Sequence, residues 1–332
     1  MSIEVSRVTD AAEWNALVDR SPQTTPFHRA EALEAMADHS EAAPRRYVGY
    51  KGEEPVGLFP VFSLTRGPVR AAVSPPPDLK IPYLGPALLD DGQLKQRKAE
   101  KRHRRFVDAV DEAVRDALDP HYTHVRTGPA YADPRPFIWN DFEPEPRYTY
   151  EVDLAPEPDD LFMTFSGDVR ENVRRVEEDR CELQEGTVGD AERVIDWVRE
   201  RHDEQDLSFD VPTAFVADLY RALPDGTVRV YVCRSDGAFV GGEITLEDET
   251  TLYGWQAAAD YDHDLSVSDL LVWHLLRDGR ERGLERYDLG GANNPRLCRY
   301  KAKFNPEVRT YYTLERSSRA MSSLKHLYQR FR

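Results

Sequence analysis

SDLLVWHLLRDGRERGLERYDLGGANNPRLCRYKAKFNPEV, residues Ser268 to Val308, is the stretch from which the fold can be worked out. Ser268 to Arg282 predicts an amphipathic helix, and Arg286 to Leu289 predicts a strand that ends in Gly290-Gly291, where backbone can turn sharply and let a ligand approach. Upstream, TTLYGWQAA predicts another strand. Further upstream, VRVYVCRS and AFVGGEITLE flank Asp236-Gly237, the strongest short hairpin signal in the chain. The order is hairpin, third strand, helix, strand.

The first half repeats it. RRYVGYKGEEPVGLFPVFSL alternates apolar and polar residues around Gly52-Glu53-Glu54 as a hairpin does, and a proline-rich stretch from Ser74 to Pro86 follows. Leu94 to Leu118 carries Phe106, Val107, Val110, Val114 and Leu118 near helical spacing, and Tyr122 to Thr127 predicts a short strand. Pro55-Val56-Gly57 resembles Phe239-Val240-Gly241, and Thr127-Gly128 resembles Leu289-Gly290. A diverged internal duplication is the economical explanation. The expected domains are 1–146 and 147–314, with chemistry concentrated in the second. The tail from 315 to 332 predicts a helix with Met321, Leu324, Leu327, Tyr328 and Phe331 on one face, expected to pack on the first domain.

The charge balance is 44 Lys+Arg against 60 Asp+Glu, a net −16, and only 8 of the 44 basic residues are lysine. Dense surface carboxylates with few long lysine stems suit a high-salt cytoplasm, as in halophilic archaea. No stretch approaches the roughly 18 apolar residues of a membrane span, and the opening MSIEVSRVTD lacks an export signal's charged start and apolar run, so a soluble cytoplasmic protein is expected. Cys181, Cys233 and Cys298 are far apart and show no ligand spacing, which predicts neither a disulfide nor a zinc site. The scattered histidines offer no metal set either, and no P-loop, dinucleotide fingerprint or G-x-S-x-G is present.

Several strings together resemble the Fem-like branch of the GNAT acetyltransferase superfamily, the peptidoglycan interpeptide-bridge aminoacyltransferases and their relatives. EWNALVDRSPQTTPFHRAEALEAMA is similar to the family's opening helix, loop and helix, and DLFMTFSGDVRENVRRVEEDRCELQEG to its basic helix before the second hairpin. The final Asp-x-Gly-Gly, aromatic-Lys pair and phenylalanine appear here as Asp288 to Gly291, Tyr300-Lys301 and Phe304. The resemblance implies an α/β (α+β) fold of two tandem GNAT-like domains, each a mixed, mostly antiparallel sheet flanked by helices. It further implies an N-acyltransferase in which Lys301 lies at the reacting carbonyl or at the donor's phosphate, with Tyr300 and Phe304 beside it. The chain departs from the family in having Asn305 where glycine often follows the phenylalanine, and no lysine between Phe27 and Met36.

Acyl transfer to an amine needs a proton acceptor, a positioned carbonyl and positive charge where the oxyanion develops. Lys301 is the candidate for the last role, and Asp288, at a strand end before Gly-Gly, for the first. Asn293 shares that loop, although turn chemistry alone also accounts for it. Arg170, Arg174 and Arg175 project from one side of a helix and suit a phosphate or carboxylate, unless the glutamates among them pair them off. Tyr253 and Trp255, in the central strand of the second half, fit either a site wall or a core. The loop Ala259 to Ser266 holds three aspartates and no glycine, a poor seat for a coenzyme A pyrophosphate. No tightly bound cofactor is expected. An aminoacyl-tRNA or another activated acyl carrier fits better than acyl-CoA. A basic cluster from Lys95 to Arg105 suits a tRNA or an anionic membrane surface, or else is a solvated helix face.

If the acidity is a salt adaptation, carboxylate repulsion weakens in molar salt, where the Debye length falls to about 3 Å. The melting temperature should then rise substantially from dilute buffer to molar potassium chloride. A flat or falling series of melting curves would instead reflect an arginine-biased genome.

Overall fold

A computed structural model describes residues 2–89, 94–175 and 181–318. The chain divides into two compact units. The first holds residues up to Arg147 and the chain from Thr310 to Ser318, and the second holds Tyr148–Arg309.

The first unit begins with β1 (Glu4–Arg7), α1 (Ala11–Val18) and α2 (Ala30–Asp38), then the hairpin β2 (Ala43–Lys51) and β3 (Glu54–Arg66). β4 (Val69–Ser74), the short β5 (Ala87–Leu88), α3 (Gln96–Leu118), β6 (Tyr122–Arg126) and α4 (Arg135–Ile138) follow. β2, β3 and β4 pair antiparallel, whereas β4 and β6 run parallel. That parallel step requires a crossover, and α3 supplies it.

The second unit takes the end of β7 (Glu143–Asp153), then α5 (Pro158–Thr164), α6 (Gly167–Arg174), β8 (Glu182–Glu185), α7 (Val188–Asp203) and α8 (Thr213–Ala222). The hairpin β9 (Val228–Ser235) and β10 (Ala238–Glu247), β11 (Thr251–Ala259), α9 (Val267–Glu281), β12 (Arg286–Asp288) and α10 (Pro295–Lys301) complete it. Its sheet runs β7-β12-β11-β10-β9-β8, with β11 and β12 parallel and the other neighbours antiparallel. Both units therefore show hairpin, third strand, crossover helix and parallel strand, as the repeated pattern predicts. β13 (Glu307–Ser317) returns to the first unit, where Thr313 to Ser317 pair with β6.

The repeated Val-Gly pairs have a physical cause. A Cβ at Gly57 would lie 2.9 Å from the ring of Phe106 on α3, and a Cβ at Gly241 would lie 2.7 Å from Val267 on α9. In each copy the hairpin's second strand is thinned to a glycine so that the crossover helix can seat a side chain against the sheet. Phe106 is fully buried with Val107, Val110 and Val114, and Val267 with Leu271 and Leu275.

Two expectations are corrected. Cys181 and Cys233 form a disulfide, their Cα atoms 6.4 Å apart across 52 residues of sequence. The pairing of β8 with β9 sets Leu183 opposite Cys233 and so carries Cys181 to it, which spacing alone does not reveal. Residues 315–317 belong to β13 and do not start a helix. The rest of the expected terminal helix, 319–332, lies outside the described residues.

Gly57→Ala should cost about 1–3 kcal/mol by overpacking against Phe106. Gly167→Ala, where an added Cβ meets nothing within 4 Å, should leave stability within about 0.5 kcal/mol of the parent. Urea midpoints for both variants check the contrast.

Candidate functional site

β11 and β12 pair over only three residues, Thr251 to Tyr253 against Arg286 to Asp288, and β11 continues to Ala259 after β12 has ended. The parting strands leave backbone at Gly254 and in the Gly290-Gly291 turn. Glycine is required on both sides: a Cβ at Gly290 would lie 2.9 Å from the Gly254 carbonyl oxygen, and one at Gly254 would lie 2.6 Å from Glu243 Oε1. Gly290 also has φ +69°, which glycine adopts without strain.

Three side chains hold the turn. Asp288 is 1% exposed, and its Oδ1 accepts the Gly290 N–H at 2.7 Å and the Thr149 hydroxyl at 2.5 Å. The carboxylate fixes its own turn, so its strongest observed role is positioning. Asn293 makes a two-way exchange with the Tyr148 backbone, accepting its N–H and donating to its carbonyl, both at 2.9 Å. Lys301, at the last position of α10, donates to the carbonyls of Gly290 and Gly291, the latter at 3.2 Å. Asn294 sets the start of α10 by accepting the Arg296 N–H at 2.9 Å, with Pro295 as the first helical residue. Burial lowers the Lys301 pKa, while the charges of Glu243 and Asp288 hold it up.

Glu243, on β10, is the functional candidate that pattern reading misses. It is 7% exposed, accepts the Tyr287 hydroxyl, and its pKa is raised by burial to about 7 despite that hydrogen bond and the Lys301 charge. A carboxyl titrating near neutrality is suited to proton transfer. The available signal was an acidic residue inside Gly-Gly-Glu-Ile-Thr-Leu, on a strand whose burial leaves no solvated face.

Tyr300 precedes Lys301 in α10, its ring edge-on to Phe304 with centroids 5.6 Å apart. Burial, reinforced by the Asp269 carboxylate, pushes its phenol well above the usual range, so it stays a neutral donor. Phe304 is fully buried and edge-on to Phe165, which makes it core behind the site. Tyr253 donates to Asp248 at 2.8 Å, and Trp255 stands edge-on to Phe215 at the β-bulge between β10 and β11. The arginines form a separate group. Arg170 and Arg174 lie against Met163 on α5, Arg174 also over the Phe162 ring, and Arg175 pairs with Glu171.

The start of α9 is already served by acid. Asp269 is 1% exposed and accepts from Ser266 at 2.9 Å and Asn172 at 2.7 Å, directly behind the aspartate-rich loop. A carboxylate in a first helical turn stabilises the helix dipole and opposes a phosphate there. The parting point of the first unit is filled by its own chain. Ser74 accepts the Gly85 N–H at 2.9 Å, Leu84 donates to the Arg126 carbonyl at 3.1 Å, and Leu79, Ile81, Tyr83 and Leu84 are buried. Among the described residues no group of acidic, histidine or cysteine side chains is arranged to hold a metal, and no helix is long and apolar enough to cross a membrane.

The pattern of the acetyltransferase (GNAT) domain family matches residues 165–302. No curated protein sequence matches the chain. Among solved structures, FemX superposes with a TM-score of 0.71 at 11% identity, over 93% of this chain and 96% of that one. The C-terminal domain of a putative lysylphosphatidylglycerol synthetase from Agrobacterium fabrum gives 0.57 at 15%, over 96% and 94%. A tandem GNAT protein from the clavulanic acid biosynthesis pathway gives 0.54 at 13%, over 95% and 98%. These likenesses show the fold, an α/β arrangement with tandem GNAT-like domains.

Glu243 also makes a stability prediction. Its folded pKa of about 7 lies above the ordinary 4.5, so its contribution is fully present below the ordinary value and is lost as pH rises through about 7. Between pH 5 and 8 the parent should therefore lose melting temperature relative to Glu243→Gln. Parallel melting curves for the two proteins would contradict a buried, late-titrating carboxyl.

Proposed function

Because residues 165–302 match an acetyltransferase-type domain, we propose that the second unit is an N-acyltransferase moving an acyl or aminoacyl group from an activated carrier to an amine. The observation that carries the reading is Glu243: a buried carboxyl poised near neutrality, within the electrostatic reach of Lys301, where two parallel strands part. The attacking amine forms the new C–N bond and gives its proton to Glu243. Two of the three Lys301 protons face the Gly290 and Gly291 carbonyls, and the third is the donor for the developing oxyanion. The bond to the carrier then breaks, and Tyr300, kept neutral by burial, gives its proton to the leaving oxygen or sulfur. The proton taken up by Glu243, whose charge acts on that phenol, returns to Tyr300, so that both groups are restored.

The acidic start of α9 bears on the donor. With Asp269 in the first turn and three aspartates before it, an acyl group carried on tRNA, held mainly through contacts elsewhere, is favoured over coenzyme A. Arg170 and Arg174 are the candidates for an anionic contact, since no carboxylate pairs with them among the described residues.

The test is release of labelled amino acid from charged tRNA, or of free thiol from acyl-CoA, over a panel of amines. Lys301→Met should lower turnover by about 10²- to 10³-fold, the loss typical of one oxyanion donor. In the parent, kcat/KM should climb through an apparent pKa of about 7, and Glu243→Gln should abolish that limb. Unchanged rates in both variants would remove the proposed chemistry. Coenzyme A raising the melting temperature would reverse the donor preference, and a charged tRNA doing so without turnover would make the unit a binding module.

A further inference from the structure

The first three turns of α3 break the charge logic of the rest of the chain. Residues 95 to 105 hold Lys95, Lys98 and Lys101, three of only 8 lysines in the protein, together with Arg97, Arg102, Arg104 and Arg105. They stand at the N-terminal end of a helix with no acidic residue in its first turn, where cations oppose the helix dipole. Neither solubility nor helix stability calls for this placement. A local rule broken without a local gain points to a partner.

The charges are absorbed only in part. Arg102 pairs with Glu54 and Arg104 with Asp108, but Lys98 and Lys101 are exposed and enter no ion pair among the described residues. Helical spacing places Arg97, Lys101, Arg104 and Arg105 on one outward stripe, opposite the buried Phe106, Val110 and Val114.

Beside that stripe stand two apolar side chains in the open. At the end of α4, Ile138 is 41% and Trp139 52% exposed. The guanidiniums of Arg104 and Arg135 lie over the Trp139 ring, 5.4 Å and 5.8 Å from its centroid. A nucleic-acid base would need that ring face for stacking, whereas a bilayer interface needs the amphipathic edge of the indole and an aliphatic neighbour, with basic groups at headgroup level. The juxtaposition fits the lipid surface better.

We propose that this face of the first unit, α3 with Ile138 and Trp139, docks on an anionic phospholipid bilayer. Lysines and arginines supply the attraction, about fivefold in partitioning for each basic side chain near a charged surface at low salt. Ile138 and Trp139 supply the second, salt-resistant signal that stable peripheral attachment requires. The net −16 of the chain orients the protein by repelling its remaining surface. The proposal is independent of the acyl-transfer reading.

Flotation with phosphatidylcholine vesicles, with and without phosphatidylglycerol, tests it. The protein should float only with the phosphatidylglycerol vesicles at low potassium chloride, and a residual fraction should persist at high salt. The double variant Lys98→Glu, Lys101→Glu should lower the bound fraction at low salt by at least about tenfold. Ile138→Ser with Trp139→Ala should remove the salt-resistant fraction. All four side chains are exposed, and an unchanged melting temperature checks that the variants are folded. Absence of binding at low salt, or binding indifferent to both double variants, overturns the proposal. So does single-stranded RNA binding that these variants weaken while vesicles are ignored, which would assign the face to nucleic acid.

Discussion

A carboxyl group placed inside a β-sheet is costly to ionise, and the arrangement of the second unit follows from how Glu243 is accommodated. Burial drives its pKa up, the Tyr287 hydroxyl and the Lys301 charge draw it back, and the balance falls at about 7. Gly254 leaves room for this pairing, since a side chain there would strike both Glu243 and Tyr287. The missing side chain of Gly290 in turn lets its turn approach the Gly254 carbonyl, and Asp288 and Lys301 both bond to that turn. Replace Gly254 and the space that the Glu243 carboxyl and the Tyr287 hydroxyl share is lost.

The two units use one plan to opposite ends. Each has a glycine in its hairpin that seats the crossover helix, and each has a pair of parallel strands that part after a few residues. In the first unit the proline-rich chain returns to the parting point and satisfies it with Gly85, Leu84 and buried side chains. In the second, a glycine turn, a lysine and a late-titrating carboxyl converge instead. Duplication followed by filling one copy accounts for the parting point that is closed in the first unit and lined by glycine in the second.

Periodicity made the elements legible: the hairpin at Asp236-Gly237, the α9 amphipathic face and the strand ending in Gly290-Gly291 all follow from local residue patterns. The Val-Gly echo was also legible, but its cause was not, because Phe106 and Val267 come from distant sequence. Lys301 could be singled out by its rarity and its aromatic neighbour. Phe304, Tyr253 and Asn293 show the limit of that approach, since an aromatic or amide side chain looks the same whether it meets a ligand, a core or a backbone edge. Glu243 was invisible because a glutamate in an alternating strand ordinarily faces water, and only the layers packed on both sides of β10 bury it. The Cys181–Cys233 bond was hidden for a related reason, being made by strand pairing across the unit.

Titration of the Glu243 carboxyl, followed by NMR of protein carrying ¹³C-labelled glutamate side chains and assigned by comparison with Glu243→Gln, tests the central claim without requiring any substrate. The parent should show one glutamate titrating at about 7, and removal of the neighbouring ammonium in Lys301→Met should raise that value further. A Glu243 signal titrating near the ordinary 4.5, or one that ignores the loss of Lys301, would contradict the account.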